Sequence, residues 1–190
     1  MRVRRWLRIV VATPVAAGFL AGLAPAACAA GSDAALKLES STFAADARIP
    51  KRHTCEGQDV PPALAWTGVP KNAKSLALIV DDPDAPDPKA PKMTWVHWVL
   101  YNLPTTSTGL AAGVTSLPAG TRVGLNDSHE PNYGGPCPPI GRHRYFHKLY
   151  ALDVVLPDLG QPTKKELVGA MDGHVLAQAE LMGTYEKKRG

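Results

Sequence analysis

The chain has 190 residues, with 21 Lys and Arg against 17 Asp and Glu, a formal charge of +4 with His neutral. Arg2, Arg4, Arg5 and Arg8 all lie in an amino-terminal leader that holds no acidic residue; without those four, 17 basic residues face 17 acidic ones, so the basic isoelectric point gives no support to nucleic-acid binding. The roughly 160 residues after the leader suffice for one domain with its own core, and no internal repeat, long charge run or second linker divides them.

The elements follow in chain order. MRVRRWLR is a basic start, IVVATPVAAGFLAGLAPA an apolar run, and Ala27-Cys28-Ala29 fits an A-x-A cleavage site. Residues 1–29 therefore read as a signal peptide, which implies a periplasmic or secreted protein with no membrane span after its removal. Pro14, Gly18, Gly22 and Pro25 argue against an uncleaved anchor. Cys28 lacks the leucine of a lipoprotein signal, and Arg4-Arg5 alone does not make a twin-arginine one. Residues 30–35 read as a flexible mature terminus and 36–187 as a single domain. Strands are expected at 36–43, 62–67, 74–82, 94–102, 121–126, 143–155 and 174–186, separated mostly by Pro/Gly connections. That pattern predicts a mainly β fold, an antiparallel sandwich. One helix is expected at 163–172, where Thr163 and Glu166 have capping-box spacing.

Three segments concentrate the chemistry. LALIVDD leads into DDPDAP at 81–86; Pro83 pushes Asp82 toward an extended backbone, which would put Asp82 and Asp84 on one side. In TWVHWVLYNLP, at 94–104, alternation groups Trp95, His97, Val99 and Tyr101 on one face, with Thr94, Val96, Trp98 and Leu100 on the other. Both faces are largely apolar, so this is a central strand with His97 at least partly buried, and a buried imidazole needs a partner. GPCPPIGRHRY, at 135–145, is a rigid Gly/Pro loop running into a strand that puts His143, Tyr145 and His147 on one face. Taken singly, each segment is an ordinary turn, core histidine or structural loop. Together they end strands with polar groups that one fold can bring to one pocket.

DDPDAP, the WVHW strand and the GPCPPIGRHRY…LYALD run resemble the phosphatidylethanolamine-binding proteins, in particular their bacterial Raf-kinase-inhibitor-like branch. IPKRHTCEGQDVPPALAW at 49–66 and HVLAQAELMGTYEK at 174–187 extend the likeness over roughly 36–187. The resemblance implies a β-sandwich with a few peripheral helices and a small anion pocket at one end. Carried over by residue, that pocket uses Asp82, Trp95, His97, His143 and Tyr145, with Pro86 at its rim and Cys137 as the small residue before the paired prolines. The loop before HRY is shorter than in animal members, which removes the ground for their kinase-binding role. His53 and Glu56 depart from the tyrosine and aspartate usual around Thr-Cys.

Asp82 would repel an anion unless it orients and charges a histidine, so a pair with His97 or His143 is expected. Imidazole N–H, the Tyr145 hydroxyl and amides of the Gly135–Gly141 loop then face a phosphate or phospholipid head group. The expected function is an exported anion-binding protein that could modulate an unidentified protein partner, without cofactor or metal. Surface-contact inhibition of a protease or kinase is the alternative. A hydrolase is the weaker third: Asp and two His resemble a metal triad and Cys137 beside His143 a thiol nucleophile, but no metal-ligand spacing, GxSxG elbow or nucleotide fingerprint supports catalysis. Cys55 and Cys137 either pair in an oxidising compartment or stay buried thiols; the sequence leaves both open.

Overall fold

The computed structural model describes residues 35–188. The signal-peptide reading, its cleavage site and Cys28 lie outside the described residues. Two antiparallel sheets face each other. The smaller comprises β1 (Lys37–Glu39), β2 (Leu64–Thr67) and β5 (Gly109–Leu110), in the order β1-β2-β5. The larger comprises β3 (Ser75–Ala85), β4 (Met93–Leu103), β6 (Arg122–Val123), β7 (Arg142–Leu152) and β8 (Val175–Glu186), in the order β6-β4-β3-β7-β8. The mainly β sandwich is therefore present. A helix, α1 (Lys164–Met171), packs on the outer face of the larger sheet. No helix among the described residues is long and apolar enough to cross a membrane.

Why β3 is an almost unbroken apolar run follows from its central place. Leu76, Leu78 and Val80 point between the sheets with Leu38, Leu64 and Trp66, while Ala77 and Ile79 point outward to Leu167 and Met171 of α1. Both faces of the strand are covered, so period-2 alternation carries apolar residues at every position. Thr163 caps α1 as its spacing predicts: its hydroxyl accepts from the Glu166 amide, and the Glu166 carboxylate accepts from the Thr163 amide.

Several boundaries differ from expectation for local reasons. The first strand ends at Glu39, because the Ser40 hydroxyl donates to Ala63 O and accepts from the Thr42 amide, which turns the chain. The strand expected at 121–126 shrinks to two residues. Beyond it, Leu125 N–H donates to Pro162 O, and Asn126 Oδ1 gathers the Ser128 and Glu130 amides into a loop. The two-residue β5 carries no hydrophobic pattern to announce it. Its Gly109 sits so close to β2 that a Cβ would collide with Leu64 O.

Strict alternation also fails in β4. Val80 pairs with Trp98 but Asp81 pairs with Val96, so His97 is an extra residue in a bulge. As a result Trp98 and Leu100 join the inter-sheet core and His97 packs on Tyr145 of that same core, whereas Val96, Val99 and Tyr101 face the α1 side. His97 and Val99 do not share a face. In β7 the alternation holds: His143, Tyr145, His147 and Leu149 are all buried.

His147 is 1% exposed, with its ring 5.4 Å from that of Phe43, and burial pushes its pKa down to about 4. The unfolded chain binds a proton first, near pH 6.5. Stability is thus full above that pH and declines until the folded group titrates, by up to about 3 kcal/mol. Denaturant unfolding of His147→Leu should show a flatter decline between about pH 6.5 and 4 than the native chain; an unchanged slope would assign the loss elsewhere.

Candidate functional site

One cavity of about 560 Å³ opens where β3, β4 and β7 meet the loops around residues 126–139. Asp82, Pro86, Trp95, His97, Cys137, His143 and Tyr145 all line it, and so does Cys55. The neighbours that differ from the expected pattern, His53 and Glu56, are not among the lining residues; His53 Nδ1 lies 2.8 Å from Val60 O, and Glu56 accepts from the Tyr185 hydroxyl.

The three aspartates of DDPDAP diverge. Asp81 turns to the helix side, where it is fully buried and receives Lys148 at 2.9 Å and Lys164 at 2.5 Å. Asp82 faces the cavity and accepts from His143 Nδ1 at 2.7 Å. Asp84 accepts from the Arg144 amide and from its guanidinium, Nε at 2.9 Å and Nη2 at 2.7 Å. The expectation that Asp82 and Asp84 share a side therefore fails. A register shift spans Pro83, and the Asp84 amide folds back on Asp82 Oδ1 at 2.8 Å. A turn of that kind redirects the backbone locally. The Arg144 guanidinium holds the Asp84 carboxyl below its ordinary pKa. The next peptide, Ala85–Pro86, is cis and sets Pro86 into the rim.

His143 is fully engaged. While Nδ1 meets the Asp82 carboxylate, Nε2 lies 3.0 Å from Ile140 O. Both partners are acceptors, so both bonds form only when the ring carries both protons. The ring stabilises the floor and offers the cavity no free N–H.

His97 is the reverse case. Its Nδ1 donates to Gly134 O at 2.6 Å, and its Nε2 is buried with no partner. Burial lowers its pKa, outweighing the opposing pull of the Gly134 carbonyl and of Asp82, Asp81 and Asp127. The neutral ring thus presents a bare lone pair at Nε2. Tyr145 lies edge-on to it at 5.2 Å, and its hydroxyl is likewise buried without a partner. Burial, followed by Asp82, raises the Tyr145 pKa, so its hydroxyl keeps its proton. These two atoms are the unspent polar groups of the floor. Buried polar groups seldom go unpaired, and such exceptions call for an explanation.

The Gly/Pro loop acts as a wall. Gly134 N–H donates to His97 O and Gly135 N–H to Asp59 Oδ1 at 2.7 Å, while positions 136, 138 and 139 are prolines without an N–H. The expected crown of loop amides is therefore largely absent. Gly135 is required for the approach, since a Cβ there would strike Asp59 Oδ1 and His53 O. A Cys55–Cys137 disulfide, with Cα atoms 5.4 Å apart and partners 82 positions apart in sequence, pins the loop to the segment after the 3-10 turn Lys51–His53. Cys137 is thereby a wall atom and not a free thiol.

Sequence reasoning missed Lys92, Met93, Asp59, Asn126 and Ser128, which also line the cavity. Met93 was within reach, since it lies two residues before Trp95 on an extended strand and so shares its side. The others come from loops without a pattern. Among the described residues no group of His, Cys, Asp and Glu is arranged to hold a metal.

A β-sandwich with one apolar-walled cavity and a buried polar floor at the end of its larger sheet defines the class. The chain matches the family model for phosphatidylethanolamine-binding protein over residues 39–186. The chain belongs to that family. It is 48% identical to a UPF0098 protein of Methanothermobacter thermautotrophicus over 155 residues, covering 80% of this chain and 99% of that one. A UPF0098 protein of Chlamydia pneumoniae is 50% identical over 152 residues, with the same coverage. Among solved structures, a phosphatidylethanolamine-binding protein homologue from Chlamydia trachomatis superposes with a TM-score of 0.76 at 46% identity, covering 81% of this chain and 99% of that one. E. coli YbcL gives 0.72 at 33% identity, covering 82% and 100%. A carboxypeptidase Y inhibitor solved with its cognate proteinase shares the fold alone, with a TM-score of 0.51 at 19% identity over 82% of this chain and 84% of that one.

Removing one partner of a buried hydrogen-bonded pair leaves the other unsatisfied, at a cost of about 1–3 kcal/mol. Asp82→Ala should lose stability of about that size in urea unfolding, and Asp84→Ala clearly less, because the Arg144 side chain is 52% exposed and its charge stays solvated. Equal small losses in both variants would contradict the assignment of Asp82 to a buried pair.

Proposed function

We propose that this chain is an exported binding protein whose cavity takes a small anion of the phosphate type, and that it acts by binding and not by catalysis. The observation that carries the reading is the pair of unpartnered buried atoms, His97 Nε2 and Tyr145 Oη, at the floor of a cavity where Asp82 and His143 are already engaged with each other. A protonated phosphate presents an accepting oxygen and an O–H within a small radius and satisfies both. Pro86, Met93, Trp95 and the paired Pro138 and Pro139 supply an apolar collar, and Lys92 brings an ammonium to the same cavity. The cavity volume falls within the range of about 300–1,000 Å³ usual for small-molecule sites. Family membership supports a ligand-binding role.

Binding without catalysis is supported by the loss of the candidate nucleophile and base. Cys137 is bonded to Cys55, and neither nitrogen of His143 is open to a substrate or a metal. The disulfide also supports an oxidising, extracytoplasmic location, which mass spectrometry of the mature amino terminus would check. Inhibition of a protease by surface contact is the second reading, favoured by the fold shared with the carboxypeptidase Y inhibitor. A pull-down whose signal survives both phosphate and His97→Ala would favour it over the pocket.

The neutral His97 lone pair must gain or share a proton to hold an anion, so affinity should fall as pH rises. Calorimetry with inorganic phosphate should show tighter binding at about pH 5.5 than at pH 8.5, and His97→Ala should abolish most of it. Equal affinity at both pH values would remove the basis of the reading.

A further inference from the structure

We propose that the floor of the cavity selects a phosphate group that still has an ionisable hydroxyl, free or as a monoester, over a phosphodiester. This rests on the anion reading above and sharpens it. The two unpartnered atoms differ in kind. Tyr145 Oη keeps its proton and can donate; His97 Nε2 faces the cavity as an acceptor, because Nδ1 has committed the ring's proton to Gly134 O. The complementary ligand therefore presents one accepting oxygen and one O–H donor side by side. A phosphate monoanion has both. A diester has only acceptors, and turned toward Nε2 it opposes lone pair to lone pair.

Relief would require His97 to take a proton from solvent while only 5% exposed. The groups around it do not supply one. From β3, Asp82 is paired with His143 and Asp81 with two lysines; from β7, His143 has both nitrogens bonded and His147 is buried; in the loop beyond β6, Asp127 accepts from the Val96 amide. Asp59 and Lys92 line the same cavity, and the Asp59 carboxylate is already bonded to the Gly135 amide. The Asp59 carboxylate, which lines the same cavity, also disfavours a second negative charge on the ligand. A ligand that brings its own proton meets these constraints. Phosphomonoesters lose theirs with a pKa of about 6, so above that pH each binding event must recover one from solvent.

The collar of Trp95, Met93 and prolines leaves room for an organic substituent on that phosphate. Calorimetry of the whole chain with phenyl phosphate, methyl phenyl phosphate and inorganic phosphate separates the cases. At about pH 6 phenyl phosphate should bind at least tenfold more tightly than its methyl diester. Between pH 7 and 8 its affinity should drop about tenfold, with one proton taken up per ligand. Inorganic phosphate, which loses its second proton at higher pH than a monoester, should show the same fall displaced to correspondingly higher pH. Weaker binding than phenyl phosphate marks an organic monoester as the fitting source, and equal or tighter binding marks free phosphate. A diester that binds as well as the monoester, or a flat pH profile for the monoester, overturns the proposal while leaving an anion pocket in place. If none of the three binds, the anion reading fails with it.

Discussion

The structure depends on the clamp between the carboxylates of DDPDAP in β3 and the cations of β7. Three acids within four positions meet three basic residues of the neighbouring strand. Asp81 meets Lys148 on the helix side, Asp82 meets His143 on the cavity side, and Asp84 meets Arg144 at the strand edge. A continuous β-strand with this sequence would place Asp82 and Asp84 together and leave two like charges in one pocket. The bulge around Pro83 separates them. It also lets each buried carboxylate find a partner, without which burial of the charge would be costly. Lys164 extends the clamp to α1, so one short motif ties two sheet strands and the outer helix together.

That clamp decides what the cavity can do. By engaging His143 completely, Asp82 turns the histidine of HRY into part of the frame. The group left for a ligand is His97, which the β4 bulge swings onto the Tyr145 side. The floor then holds a closed Asp82–His143 pair, one acceptor and one hydroxyl. The Gly/Pro loop closes over it as a wall, anchored by the disulfide and by the Tyr133 hydroxyl on His53 O. Rigidity here comes from prolines and cross-links, which lower the entropy that a ligand would otherwise have to offset.

Much of the fold was legible because its signals are local. LALIV announces a strand covered on both faces, and Thr163 with Glu166 announces a helix start. The seven candidate lining residues were legible through composition and through the family's motif, and they do surround one cavity. Their roles were not. Which histidine Asp82 holds depends on two bulges, and a bulge is one unpaired residue that leaves no periodic trace. Alternation therefore misplaced His97 against Val99 and Asp82 against Asp84. Lys92 and Asn126 escaped because loops approach a cavity through tertiary packing. The pairing of Cys55 with Cys137 depends on a Cα separation that sequence does not contain.

The division of labour between the two histidines is the central claim, and imidazole ¹⁵N NMR reads it directly. During titration with inorganic phosphate at about pH 6, the Nε2 resonance of His97 should move from a bare-nitrogen position toward a protonated one, because the neutral ring starts as an acceptor. The His143 nitrogens, both already hydrogen-bonded, should not respond to the added phosphate. A His143 ring that responds in place of His97, or a His97 Nε2 already protonated before phosphate is added, would contradict the account.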